Sequence, residues 1–161
     1  MKALDTNVIV RFLVRDDETQ VRKVDQLFAS VEQNKEILFV PLLVVLELIW
    51  VLQSAYGVTK NDIILAISSL LQMPVLEFER QSVLRALIGS ADEFRGDLSD
   101  LLMAHSAQAS ACEQVFNLRQ GGCQIQAFFN ALSRAVIGPA VSNGLKYHNP
   151  GFRCASLGLR H

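Results

Sequence analysis

An α/β domain with a central parallel sheet covered by helices on both faces is the fold the sequence predicts, and three observations carry that reading. Short apolar runs at Lys2–Leu4, Ile37–Val40 and Pro74–Phe78 have the length and character of buried strands. The longer segments between them repeat apolar residues at helical spacing, so strands alternate with helices along the chain. At 161 residues the chain is long enough for one domain with a proper core and too short for two.

Lys2 to Leu4 reads as a strand that ends at Asp5, after which Thr6 and Asn7 are cap-type residues and Val8 to Val14 begins a helix. Asp16, Asp17 and Glu18 place acids at the N-terminus of a second helix, where Val21, Val24, Leu27, Phe28 and Val31 form one apolar stripe. Ile37 to Val40 stops at Pro41, as a central strand would. Leu42 to Tyr56 is a strongly apolar helix closed by Gly57. Thr59 caps the next helix, whose inner face is Ile63, Ile64, Ile67, Leu70 and Leu71. After the strand Pro74 to Phe78, helices follow at Glu79 to Ser90 and from Asp97 or Ser99 to Ala109, and Cys112 to Phe116 is a final strand. Parallel sheets carry their sites at the carboxyl ends of the strands, and Asp5 stands at such an end.

Half the residues are apolar and the formal net charge is −1, which excludes a disordered chain and a generally basic nucleic-acid binder. Contact with a nucleic acid would have to come from a local patch or a bound metal. The apolar stretch Ile37 to Leu52 is broken by Pro41 and Glu47 and is too short to span a membrane. The start MKALDTN lacks the pattern of a secretory signal. Cys112, Cys123 and Cys154 form an odd set without CxxC spacing, so the expectation is a cytoplasmic protein with reduced thiols and no zinc site.

Charge is unevenly placed. All 16 acidic residues precede position 114, whereas the last 48 residues carry only Arg119, Arg134, Lys146, Arg153 and Arg160 as charged side chains. These five follow no helical or strand period, which argues against an organised basic RNA-binding tail.

Four acids stand out. A strand-end acid such as Asp5 is either a helix cap or a ligand. Glu47 lies in Leu42–Leu52, where both flanks look buried. A buried carboxylate needs a cation, so the readings are a salt bridge or a metal site. Asp97 and Asp100 share one helical face at the positive end of the dipole, either as a capping pair or as site residues. Acids from separate segments that converge would form an oxygen-rich site for Mg²⁺ or Mn²⁺, ions suited to hydrolysis at phosphate. His105 lies beyond Asp100 and reads as a structural or surface residue.

With these residues in view, the sequence resembles the PIN-domain ribonucleases, most closely the VapC-type toxins of toxin–antitoxin pairs. The resemblance rests on Leu4-Asp5-Thr6-Asn7-Val8-Ile9-Val10-Arg11, on Glu47-Leu48 in the helix after Pro41, and on Gly96-Asp97-Leu98-Ser99-Asp100-Leu101-Leu102-Met103-Ala104. It covers residues 1–116 as a PIN-like nuclease core of three-layer α/β/α architecture, with 117–161 an atypical tail, in the same domain or partly irregular. It implies cleavage of RNA with Mg²⁺ or Mn²⁺ and water as nucleophile. Asp5, Glu47 and Asp100 would be primary acids and metal ligands, and Asp97 an auxiliary acid. Thr6 would position Asp5 or a metal-bound water, and Arg11 would meet either phosphate, a partner or a salt-bridge acid. A homodimer and a cognate antitoxin are the further partners it implies.

One departure is specific. PIN nucleases usually carry a fourth acid after the last core strand, in a segment like Thr-Phe-Asp-Lys. Here Phe116 to Gln124 holds none. Codons can be chosen for Asn117 to Ala127 that, with one nucleotide dropped, read Thr-Phe-Asp-Lys-Ala-Ala-Ala-Lys-Phe-Arg. A single-nucleotide frameshift near codon 117 would account for both the missing acid and the acid-free tail, in which Gln124 to Val136 is the one short helix expected. Two readings of function follow: a toxin-type endoribonuclease, or a catalytically impaired PIN fold that binds antitoxin or RNA. A phosphoacceptor domain of response-regulator type is disfavoured, because the acidic pair at its first strand and its late-strand Lys are absent.

Overall fold

The computed structural model describes residues 1–113 and 115. Its architecture is the expected three-layer α/β/α sandwich around a parallel sheet. In order come β1 (Lys2–Ala3), α1 (Thr6–Val14), α2 (Glu18–Gln33), β2 (Leu38–Val40), α3 (Leu42–Ser54), α4 (Lys60–Leu70), β3 (Leu76–Phe78), α5 (Gln81–Ser90) and α6 (Leu98–Ala109). The strands pair in the order β1-β2-β3, all parallel, with Ala3 opposite Phe39 and Val40 opposite Phe78. Asp5, Pro41 and Glu79 therefore follow the carboxyl ends of three adjacent strands, where helices α1, α3 and α5 begin.

Side-chain caps set the starts of three helices, α1, α2 and α4. Asp17 accepts from the backbone N–H groups of Thr19 and Gln20, and Thr59 accepts from that of Asp62. Each satisfies donors that have no partner within the helix. Helix α1 begins earlier than the sequence suggests, because Asp5 itself is its cap and Thr6 and Asn7 lie inside the first turn. Helix α3 starts after Pro41, which offers no capping side chain. Glu79 fills that role from the neighbouring strand end, accepting from the Leu42 N–H at 2.8 Å. Gly57, with φ of 62°, takes the left-handed turn that follows α3.

The expected final strand is not present at Cys112, Glu113 or Val115; Gln114 and Phe116 lie outside the described residues. Ala111 has φ of 59°, and its N–H donates to Gln108 while that of Cys112 donates back to Ala107. This left-handed closing turn engages the Cys112 N–H and redirects the chain instead of extending it. The expectations for residues 117–161, including the helix at Gln124 to Val136, lie outside the described residues.

One core joins the layers. Val40 of the central strand, Ile9 of α1, Ile49 of α3, Leu84 of α5 and Leu101 of α6 are all fully enclosed in it. Each such side chain contributes about 1.5–3 kcal/mol by leaving water. Helix α3 packs against α1, α4 and α6, and α5 packs along α6. Burial holds the His105 imidazole below its ordinary value near 6.5, and a hydrogen bond with Gln108 opposes this in part. The unfolded ring thus binds protons more readily than the folded one. Stability from neutral His105 is complete above about pH 6.5 and is lost as pH falls through that value towards the folded pKa. The urea midpoint should be lower at about pH 5.5 than at about pH 7.5, and the drop should shrink in His105→Leu.

Candidate active site

The site forms where α1 meets α3 above the carboxyl edge of the sheet. Asp5 follows β1 with extended backbone, φ −93° and ψ 157°, so its side chain folds back over the start of α1. One carboxylate oxygen accepts from the Thr6 N–H at 2.7 Å, and the other accepts from the Asn7 amide at 3.3 Å. Those two donors fix the orientation of the carboxylate and leave lone pairs on both oxygens for another partner. Asn7 is thus a site neighbour, and the sequence showed it only as a cap-type residue.

Thr6 is buried, and its hydroxyl donates to Glu47 Oε2 at 2.5 Å. The bond spans 41 positions of sequence and ties α1 to α3. Asp5 and Glu47 consequently flank one threonine, the backbone N–H serving the first and the hydroxyl the second.

Glu47 is not buried, contrary to the expectation from its apolar flanks. It is exposed, as are Leu43, four residues before it, and Trp50, three after it, at 75% and 63%. The physical reason is that α3 buries Val45, Leu48, Ile49 and Leu52 in the core, with Leu42, Val44, Leu46 and Val51 partly buried beside them, and leaves the face of Leu43, Glu47 and Trp50 uncovered. The cost of burying a charge therefore does not force a cation onto Glu47. Its bond to Thr6 and its neighbour Asp5 define its place instead.

Asp97 is the cap position of α6 and Asp100 lies in its first turn, but Asp97 makes no side-chain capping bond. Helix α6 packs on α3, so the second pair of acids stands on the helix beside the one carrying Glu47. Among the described residues no three His, Cys, Asp or Glu side chains are gathered as a ready-made metal cage. Mg²⁺ and Mn²⁺ do not require one, since such ions are held by one or two carboxylates together with water and substrate phosphate. The all-oxygen donors Asp5 and Glu47 fit that class of ion, and sulfur-seeking or imidazole-seeking metals fit poorly.

Two other polar residues are spoken for. Arg11 donates to Asp16 at 2.5 Å and to the Tyr56 hydroxyl at 3.2 Å, so of its expected roles the salt bridge is the one formed. The Arg11 guanidinium, together with the Tyr56 hydroxyl, lowers the pKa of Asp16. Glu79, at the same sheet edge as Asp5, is engaged by the N-terminus of α3.

Thr6→Val should isolate the bridging hydroxyl, because valine keeps the volume and β-branching while removing the donor. Affinity for Mn²⁺, followed by the signal of the free ion in solution, should fall about tenfold or more. Thr6→Ser should retain most of it, and equal affinities for the two variants would remove Thr6 from the site.

Comparison with known proteins bears on the same residues. The PIN domain family matches residues 2–117. A VapC ribonuclease from Aquifex aeolicus (strain VF5) is 30% identical over 115 residues, which span 71% of this chain and 84% of that one. The family match takes in Asp5, Glu47, the pair on α6 and the fold that holds them, and the chain belongs to the PIN-domain family, as a VapC-type member.

Proposed function

We propose that this chain is a metal-dependent endoribonuclease, the toxin component of a type II toxin–antitoxin pair. The observation that carries the reading is the Thr6-bridged Asp5–Glu47 pair at the carboxyl edge of the sheet. Asp5, Glu47 and Asp100 would hold the ion, with Asp97 auxiliary and Thr6 and Asn7 fixing the angles at which the first two carboxylates point. Mg²⁺ or Mn²⁺ bound there would neutralise phosphate charge and lower the pKa of a water molecule. Asp5 is held by two donors and Glu47 by one, so neither needs to reorganise when substrate arrives. Glu47 Oε1 and the remaining lone pairs of the Asp5 oxygens would accept a proton or hydrogen bond from the attacking water.

A cognate antitoxin and a second copy of the chain are the protein partners this reading entails. Both need uncovered apolar surface, and the face of α3 that carries Glu47 presents Leu43 and Trp50. No helix among the described residues is long and apolar enough to cross a membrane. We place the protein in the cytoplasm, where RNA and antitoxin are met.

The absence of acidic residues after Glu113 favours a second reading, in which the fold binds antitoxin or RNA without efficient cleavage. An end-labelled single-stranded RNA separates the two. After treatment with EDTA the protein should leave the RNA intact, and adding Mn²⁺ should produce discrete fragments. RNA retained by the protein but uncut at every Mn²⁺ concentration would establish the second reading.

A further inference from the structure

Among the described residues only three polar side chains are buried, and all three join helices that bear on the acids. Thr6 links α1 to α3, as described. Ser90 and His105 link α5 to α6, with Ser90 Oγ and His105 Nε2 separated by 2.7 Å. Ser90 Oγ donates its one proton to the Ala86 carbonyl at 2.8 Å, so Nε2 carries the ring proton and donates to Ser90.

The position of this bond is informative. Ser90 is the last residue of α5, and the segment from Ala91 leads directly into Asp97 and α6. The Ser90–His105 bond closes the base of that hairpin. The other buried side chains of the two helices are apolar and without directional preference: Val83, Leu84 and Leu87 on α5, and Leu98, Leu101, Leu102 and Ala104 on α6. Apolar contacts of this kind tolerate small sliding motions, whereas one hydrogen bond in a dry interface selects a single register. Arg80, just before α5, reaches Ser110 and the Ser106 carbonyl at the far, exposed end of α6. The segment itself is held at its middle. Lys60 Nζ donates to the Phe94 carbonyl and lies 5.5 Å from the centre of the Phe94 ring. That ring packs over Gly96, where an added Cβ would stand 2.6 Å from it. Asp97 is the next residue.

We infer that the Ser90–His105 hydrogen bond sets the register of α6 against α5, and so positions Asp97 and Asp100 relative to the Asp5–Thr6–Glu47 group. Asp100 lies five residues from His105, about 7–8 Å along the helix axis, so a slide of α6 is carried to it undiminished. Ser90 and His105 are positioning residues and touch neither metal nor substrate. The inference rests on the carboxylate reading of the site.

The test uses the full chain and two readouts, thermal melting and Mn²⁺ affinity from the spectroscopic signal of the free ion. Replacing both partners with apolar groups, in Ser90→Ala/His105→Leu, leaves no unpaired polar atom, so melting should stay at or above that of the native chain. Mn²⁺ affinity should nevertheless fall about tenfold, the scale of losses from residues that orient ligands. Ser90→Thr keeps the hydroxyl and should keep the native affinity. Should the double variant fail to fold, Ser90→Ala alone is read by Mn²⁺ affinity, with a lower melting temperature expected because buried His105 Nε2 loses its partner. Native Mn²⁺ affinity in these variants, with affinity lost in Asp100→Asn, overturns the inference and leaves the carboxylate site standing. Unchanged affinity in Asp100→Asn as well overturns the carboxylate reading, and this inference with it.

Discussion

Asp5→Asn should lower metal-dependent RNA cleavage about 100- to 1000-fold while leaving the fold intact. Two roles meet at this residue, and the substitution separates them. As the cap of α1, Asp5 accepts from the Thr6 N–H at 2.7 Å. Asparagine caps as well as aspartate, so stability should change by no more than about 0.5 kcal/mol. As a ligand, Asp5 contributes charge, and an amide contributes none. Loss of a group that stabilises developing charge at phosphate is worth several kcal/mol in the transition state, hence the predicted loss of rate. Alanine would be a poorer probe, since it removes the cap too and mixes a stability loss of about 1 kcal/mol with the catalytic one. The measurement is single-turnover cleavage of a labelled RNA with Mn²⁺, alongside urea unfolding. An Asp5→Asn chain that cleaves as fast as the native one would falsify the assignment of Asp5.

Restoring the neighbouring reading frame near codon 117 should raise cleavage about tenfold or more. The chain as it stands has no acid in Phe116 to Gln124 or anywhere later. A segment reading Thr-Phe-Asp-Lys-Ala-Ala-Ala-Lys-Phe-Arg would return a carboxylate to the site. Its effect belongs with that of groups that complete or orient a ligand set, for which losses of 10–100-fold are usual. The two chains should be compared in the same assay for both cleavage and Mn²⁺ affinity. The gene offers an earlier check, because its codons either do or do not encode Thr-Phe-Asp one frame away. If they do not, the frameshift explanation is wrong and the acid-free tail needs another.

The local signals were the most legible. Asp17 and Thr59 cap the helices the sequence assigns to them, because a cap is a bond between residues two or three positions apart. The strands at Leu38–Val40 and Leu76–Phe78 fall inside the runs that predicted them: central β2 is apolar throughout, and β3 keeps only Glu77 polar, on an exposed position. The segment after α6 was misread as a strand for the complementary reason. A left-handed alanine at Ala111 carries none of the glycine signal that usually marks such a turn.

By itself, then, the sequence determined the α/β plan and the family, and singled out the acids proposed for the site, all of which depend on residue type and short-range spacing. Only the tertiary structure decided how those acids are held. Glu47 is exposed because α3 has two apolar faces and the core covers one of them, a choice no periodicity reveals when both faces are alike. Thr6 meets Glu47 across 41 positions, and Ser90 meets His105 across 15, because packing brings those helices together. Hydrogen bonds over such separations depend on which faces meet, and that is fixed only once the layers are packed around one core.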